Sequence, residues 1–96
     1  MTKAEKEERI LNYIHNLEGL DNVGCYGYLY ISFLVDIIAE VAFGCQHTHD
    51  FHGETIYPED IIEYNILMSK ISTVIGNMAN KGVIKLSKSR KMFKLV

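Results

Sequence analysis

Hydrophobic residues recur at helical spacing in three stretches of this 96-residue chain. The first stretch opens with Thr2 and Glu5, which have the spacing of a capping box, in which each residue satisfies an unpaired amide at the start of a helix. Its apolar positions then fall three or four residues apart: Ile10, Leu11, Ile14 and Leu17. Gly19 supplies a stop signal. The pattern predicts an amphipathic helix over residues 3–17.

The second stretch, residues 28–43, is apolar on most sides of a helix. Its only polar stripe consists of Ser32, Asp36 and Glu40. A helix this apolar must be covered, either as the central helix of the core or by a second copy of the chain. The glycine-containing segment before it, residues 19–27, is predicted to be a loop. Three alternating tyrosines are interpreted as half-buried rings near the start of this helix: Tyr26, Tyr28 and Tyr30.

The third stretch, residues 58–81, allows two interpretations. Apolar residues at 3-4 spacing fit one long helix. Asn65 and Ser69 are acceptable turn and N-cap residues, and they favour a short helix over 58–64, a turn, and a second helix over 68–81. Pro58, followed by two acids, is a good entry to the first of these helices. We therefore expect two helices joined by a turn at residues 65–67.

The remaining residues, 83–96, predict a β-hairpin. Two short apolar runs flank the polar tip Ser87-Lys-Ser-Arg90. Two strands alone are marginally stable, so the hairpin must pack on the helices or pair with a short strand predicted at residues 54–57.

Length and composition are those of a single globular domain. The chain is 48% hydrophobic, with one proline and no linker-like or repetitive tract. The charged start, residues 1–10, is unlike a signal peptide, and no apolar run is long enough to span a bilayer. Cys25 and Cys45 are therefore expected to be reduced thiols in a cytoplasmic protein. No arrangement of residues suggests catalysis, so we do not expect an enzyme.

Charge divides the chain into two unlike parts. Residues 69–96 contain seven of the ten basic residues and none of the twelve acids, although the net charge of the whole chain is only −2. A basic end attached to an acidic body suits a protein that binds a polyanion and keeps its body away from the phosphates. A charge run of this kind is also found on ordinary solvated surfaces.

The basic segment also carries a sequence resemblance. The runs Tyr57-Pro-Glu-Asp-Ile61, Met68-Ser-Lys-Ile-Ser-Thr-Val-Ile75 and Met78-Ala-Asn-Lys-Gly-Val-Ile84 resemble the core of bacterial and phage winged-helix regulators. The order of helix, short strand, helix, turn, helix, Lys-Gly and basic hairpin is that of a winged helix-turn-helix domain. The resemblance implies a mainly α fold with a small β-hairpin wing, in which residues 3–17 and 28–43 are supporting helices.

The resemblance further implies a DNA-binding surface. The helix before Lys81-Gly82 would be the recognition helix, placed in the major groove. Its exposed polar residues would be Ser69, Lys70, Ser72, Thr73 and Asn77. The wing would lie near phosphates or the minor groove, with the remaining contacts at Lys81, Lys85, Lys88, Arg90 and Lys91. The recognition helix contains no arginine, the residue that most often reads guanine.

A second candidate site is the segment from Cys45 to His52. If this segment is extended, Cys45, His47 and His49 project to one side, and His52 could complete a tetrahedral zinc site. The spacing is not that of structural zinc sites, and a histidine-rich polar loop is also ordinary surface. No cofactor is expected otherwise.

These observations favour a small cytoplasmic winged-helix protein that binds double-stranded DNA, as a transcription regulator of phage or mobile-element type. We expect a homodimer through residues 3–43, since two half-sites suit a twofold protein. Two alternatives remain: a winged-helix module that binds or inhibits a protein partner, and a metal-responsive regulator.

Overall fold

A computed structural model describes residues 1–46 and 54–96. Within them the chain forms three helices and a four-stranded antiparallel sheet. The helices are α1 (Lys3–Leu17), α2 (Ile31–Phe43) and α3 (Ile61–Asn80). The strands are β1 (Gly24–Cys25), β2 (Tyr28–Tyr30), β3 (Ile84–Leu86) and β4 (Met92–Leu95). The architecture is therefore mixed α/β, with a larger share of strand than the sequence predicted.

Helix α1 has the predicted bounds. The Thr2 hydroxyl accepts the backbone N–H of Glu5 at 3.2 Å and lies 3.1 Å from the Glu5 carboxylate, to which it donates. Ile10 and Ile14 form the buried stripe of the helix. The local sequence is sufficient here, because the cap and the apolar periodicity specify the same helix.

Helix α2 begins three residues later than predicted, because residues 28–30 form strand β2 instead. A two-residue turn, Tyr26-Gly27, joins β1 to β2, and both residues have positive φ angles of 52° and 81°. These angles match the type I′ turns that connect tight hairpins. The predicted loop over residues 19–27 is therefore interrupted by strand β1, and Tyr28 and Tyr30 lie in strand β2 and not in the first turn of α2.

Helix α3 is a single helix and not two. Asp60 caps it by accepting the N–H groups of Ile62 and Glu63 at 2.9 and 3.1 Å, so Pro58 lies before the helix. One buried stripe continues through the expected turn: Leu67, Ile71, Ile75 and Met78. A turn at residues 65–67 would rotate these side chains out of register with the core. Packing therefore outweighs the weak turn preference of Asn65.

The sheet has the strand order β1-β2-β4-β3. The predicted hairpin is present as β3 and β4, and it pairs with β2 through Leu29 and Phe93. It does not pair with residues 54–57. In that segment the structure places a single-residue bridge at Thr55 and a bond from the N–H of Ile56 to the Gln46 carbonyl, 2.7 Å long.

One hydrophobic core lies between the helices and one face of the sheet. Its fully buried side chains come from α1, α2, α3 and β4: Ile14, Leu34, Ile38, Ile71 and Phe93. Helix α2 is covered within the monomer, since five of its residues are buried: Leu34, Ile37, Ile38, Ala39 and Val41. Of the two alternatives, the structure matches the one in which this helix is the central helix of the core.

Candidate nucleic-acid interface

Helix α3 presents a polar face opposite its buried stripe. The five residues expected to meet DNA are all exposed: Ser69, Lys70, Ser72, Thr73 and Asn77. The Thr73 hydroxyl donates to the Ser69 carbonyl at 3.1 Å, which leaves its lone pairs available to an outside donor. The last acid of α3 is Glu63, in its first turn. The middle and end of this face can therefore approach phosphates without a carboxylate on α3 opposing them.

The hairpin tip is shaped by its two serines. The Ser87 hydroxyl accepts the N–H of Met92 at 3.2 Å, and the Ser89 hydroxyl accepts the N–H of Lys91 at 3.4 Å. Arg90 has a positive φ of 60°, and its N–H donates to the Ser87 carbonyl at 3.0 Å. These bonds hold a tight turn from which the three predicted contact residues project into solvent: Lys88, Arg90 and Lys91.

The outer face of the sheet places the predicted contact Lys85 beside residues that the sequence analysis did not assign to the site. We define it as the face opposite the buried Leu29 and Phe93; its residues are Cys25, Tyr28, Tyr30, Lys85, Met92 and Lys94. The Lys94 ammonium lies 5.2 Å from the centre of the Tyr28 ring, within cation–π range. The period-two spacing of Tyr28 and Tyr30 was the available signal, since alternation is typical of a strand.

Lys81 is the predicted contact that forms an ion pair within the described residues. Its ammonium lies 3.0 Å from the Glu7 carboxylate and ties the end of α3 to α1. Both side chains are partly exposed, so the pair is open to competition from another anion. Lys81 is consequently a weaker candidate for phosphate contact than the hairpin cations.

A separate polar cluster joins Asp36 of α2 to Tyr57 and Tyr64. The Tyr57 hydroxyl donates a short hydrogen bond to the Asp36 carboxylate, and the Tyr57 and Tyr64 rings meet edge to face at 5.9 Å. Burial raises the pKa of Tyr57, and the hydrogen bond and charge of Asp36 raise it further. Burial followed by the charges of Asp36 and Glu40 also raises the pKa of Tyr13. This cluster fixes the segment before α3 to α2 and is structural.

The proposed metal ligands are only partly within the described residues. Cys45 is a half-buried free thiol whose pKa burial raises, and His47, His49 and His52 lie outside the described residues. In the part of the chain that the structure describes, no group of three or more His, Cys, Asp or Glu side chains is placed to hold a metal.

Among the described helices, none combines the length and apolar character that crossing a membrane requires. Comparison with known proteins finds no matching family model, no matching curated protein and no matching solved structure.

Proposed function

We propose that this chain is a winged-helix protein that binds double-stranded DNA, with α3 as its recognition helix and the β3–β4 hairpin as its wing. The observation that carries the proposal is the surface running from residue 69 of α3 to the hairpin tip. Its contact candidates are exposed cations and small polar side chains, and residues 69–96 contain no acid. Such a surface supplies both phosphate contacts and hydrogen-bonding groups for base edges.

The element order supports the fold part of the proposal. Helix α1 is followed by strands β1 and β2, helix α2, helix α3, Lys81-Gly82 and the β3–β4 hairpin, which is compatible with the helix, strand, helix, helix and hairpin order that the resemblance implies. The strand between α1 and α2 pairs with the hairpin, so that it anchors the wing. This assignment differs from the sequence-based one. Helix α2 now takes the position before the recognition helix that the sequence analysis assigned to residues 58–64, and the whole of α3 is the recognition helix. The connection between them, residues 44–60, is longer than a simple turn.

The proposed contacts divide into two kinds. The side chains of Ser69, Thr73 and Asn77 would face base edges in the major groove, while Lys70 would contact a phosphate beside it. The hairpin cations would bind phosphates or enter the minor groove. Since no arginine lies on the exposed face of α3, electrostatic binding would supply most of the affinity and base contacts only modest specificity. This suits a regulator that gains specificity by binding two half-sites.

A duplex titration at 50 and 200 mM salt tests the proposal directly. We expect micromolar or tighter binding at the lower salt concentration and a loss of about tenfold or more at the higher one, because bound cations are released from the DNA. Absence of any shift at 50 mM salt with mixed-sequence duplex would overturn the DNA-binding proposal.

One observation favours a protein contact at the start of α3. The first two turns of α3 expose three isoleucines, with 67% of Ile61, 67% of Ile62 and 51% of Ile66 accessible to solvent. Neighbouring exposed apolar side chains mark protein contact surfaces more often than DNA contacts. We therefore propose this isoleucine surface as the homodimer contact, in preference to residues 3–43, whose exposed apolar residues are scattered: Tyr13, Leu20, Tyr26, Tyr30 and Phe43.

A further inference from the structure

A cleft lies between α1, the end of α2 and the last turns of α3, away from the outer face of the sheet. Its volume is about 640 Å³, within the range of roughly 300–1,000 Å³ that small-molecule sites occupy. Five apolar side chains form its floor: Ile10, Ala42, Phe43, Val74 and Met78. Phe43 remains 36% exposed there, so the floor is open to a ligand.

Charged side chains form the rim of the cleft and are mostly of one sign. Lys3 and Lys6 line it from α1, and Lys81 lines it from the end of α3. The only acid on the rim is Glu7, which the Lys81 ammonium approaches to 3.0 Å. Within the described residues neither Lys3 nor Lys6 takes part in an ion pair. The rim therefore has two lysines that form no ion pair with the described residues, and its three lysines outnumber its single acid.

We propose that this cleft binds a small amphipathic anion, such as a free medium-chain carboxylate. The alkyl chain would lie on the Phe43 and Met78 side chains, where each buried methylene strengthens binding about fourfold. The carboxylate would lie between the ammonium groups of Lys3 and Lys6, which are one turn apart at i and i+3 on the same helix face. A neutral or cationic amphiphile of equal length would lack the contact with these two ammonium groups.

The position of the cleft gives the ligand an effect on DNA binding, a step that rests on the proposed function. Asn77 and Lys81 line the cleft and also belong to the proposed DNA surface. A bound anion places negative charge beside the end of α3, where phosphates would approach. DNA and the anion should consequently weaken each other's binding by the same factor, since coupling between two sites is reciprocal.

The test uses decanoate below its micelle concentration, measured by titration calorimetry with the full chain. We expect saturable 1:1 binding of decanoate, weaker binding of hexanoate and no saturable binding of decyltrimethylammonium. Lys3→Glu with Lys6→Glu should weaken decanoate binding at least tenfold. Lys88→Glu with Lys91→Glu makes the same charge change at the hairpin tip and should change the affinity for decanoate by less than twofold.

Thermal melting of both double variants checks that they fold. The proposed site would be overturned if decanoate and decyltrimethylammonium bound equally well, or if decanoate showed no saturable binding at millimolar concentration. An equal loss of decanoate affinity in the two double variants would also overturn it. This calorimetry contains no DNA, so its result is independent of the proposed function. A duplex titration with saturating decanoate then measures the coupling. Unchanged duplex affinity in a protein that binds both would overturn the regulatory step alone.

Discussion

Lys85 and Lys94 lie directly opposite each other in the β3–β4 ladder, so that two ammonium groups occupy one row of the outer sheet face. Like charges at this position destabilise an antiparallel pair, by up to about 1 kcal/mol. The positive charge of Lys94 is partly compensated by the face of the Tyr28 ring, whereas Lys85 is exposed on the edge strand. A pair of cations kept at a cost in stability is consistent with a surface that meets an anion.

Replacing Lys85 with glutamate should therefore stabilise the free protein and weaken its complex with DNA. The cross-strand pair becomes attractive, and we expect the melting temperature to rise by a few degrees, since 1 kcal/mol corresponds to about 4–8 °C in a domain of this size. Duplex affinity, measured at 50 mM salt, should fall. Lys88→Glu is the matched control, because it changes the same charge at the tip without a partner across the ladder. A rise in melting temperature as large in the control would contradict the cross-strand explanation.

The basic tip should determine the salt dependence of DNA binding. Lys88→Ala with Arg90→Ala removes two phosphate contacts, so the slope of log affinity against log salt should become shallower by about one to two units. Lys3→Ala with Arg9→Ala removes two cations from the acidic body and should leave the slope unchanged. Fluorescence anisotropy at four or more salt concentrations measures both. Equal slopes in the two double variants would show that the hairpin does not contact phosphates.

The hydrogen bond between Tyr57 and Asp36 makes stability depend on pH above the usual range of tyrosine. Because the folded-state pKa of Tyr57 is raised above its unfolded value of 10.0, its contribution is present in full below pH 10 and is lost as the pH rises further. Tyr57→Phe should cost about 1–2 kcal/mol at pH 7, since it leaves the half-buried carboxylate without its donor.

Urea unfolding at pH 7, 10 and 11 measures this contribution. The Tyr57→Phe variant should lose less stability than the wild type between pH 10 and 11, and a smaller decline should remain because the pKa of Tyr13 is also raised. Tyr26→Phe is the control, since that ring is 99% exposed. Parallel declines in the wild type and the Tyr57→Phe variant would exclude the proposed role of this hydrogen bond.

Gly76 offers a way to separate stability from contact with DNA. Apart from its own helix backbone and its two sequence neighbours, a methyl group added at this position meets no described atom within 4 Å, and the residue lies in α3. Gly76→Ala should therefore stabilise the protein by about 0.5–1 kcal/mol through helix propensity alone. Gly76 is half-buried and lies one helical turn after the exposed Thr73, at the border of the polar face. If the variant is more stable and binds duplex less tightly, the glycine allows close approach of DNA. A loss of stability would contradict the open surroundings of this residue.

The proposed dimer contact can be located by two single substitutions. Ile62→Asp places a charge in the isoleucine surface of α3, whereas Tyr13→Asp places one on the exposed side of α1. We expect sedimentation equilibrium to show a dimer for the wild type and for Tyr13→Asp, and a monomer for Ile62→Asp. If Tyr13→Asp dissociates the dimer and Ile62→Asp does not, the dimer contact lies within residues 3–43. A monomeric wild type at tens of micromolar would remove the dimer and weaken the two-half-site model.

The sequence predicted the elements whose signals are local. Helix α1 and the hairpin follow from a cap and from two runs of alternation, and both have the predicted positions. The errors arose where distant packing decides between local alternatives. Asn65 favours a turn by itself, but Leu67 and Ile71 keep α3 helical through that position. Leu29 extends the helical pattern of the residues after it, but it lies in a strand because it pairs with Phe93.

The candidate site was predictable in composition and not in arrangement. Exposure of the ten proposed DNA contacts follows from their polar character, and all ten are exposed. Their neighbours could not be read from sequence. The row formed by Tyr28, Lys94 and Lys85 depends on the register of three strands, and the ion pair between Glu7 and Lys81 joins the first helix to the third. These contacts join residues that are far apart in the sequence, so a local sequence pattern does not predict them.

The pairing of Leu29 with Phe93 also sets a condition on how this protein folds. Strand β4 lies between β2 and β3, so the sheet has no stable form until the two ends of a long chain segment have met. Helices α1, α2 and α3 can form earlier from local contacts, whereas this non-local closure is expected to be the slow step. Before it occurs, the apolar face of the helices is exposed to other molecules. Deleting residues 92–95 would therefore remove one of the two central strands, and we expect the remaining helical chain to be prone to aggregation.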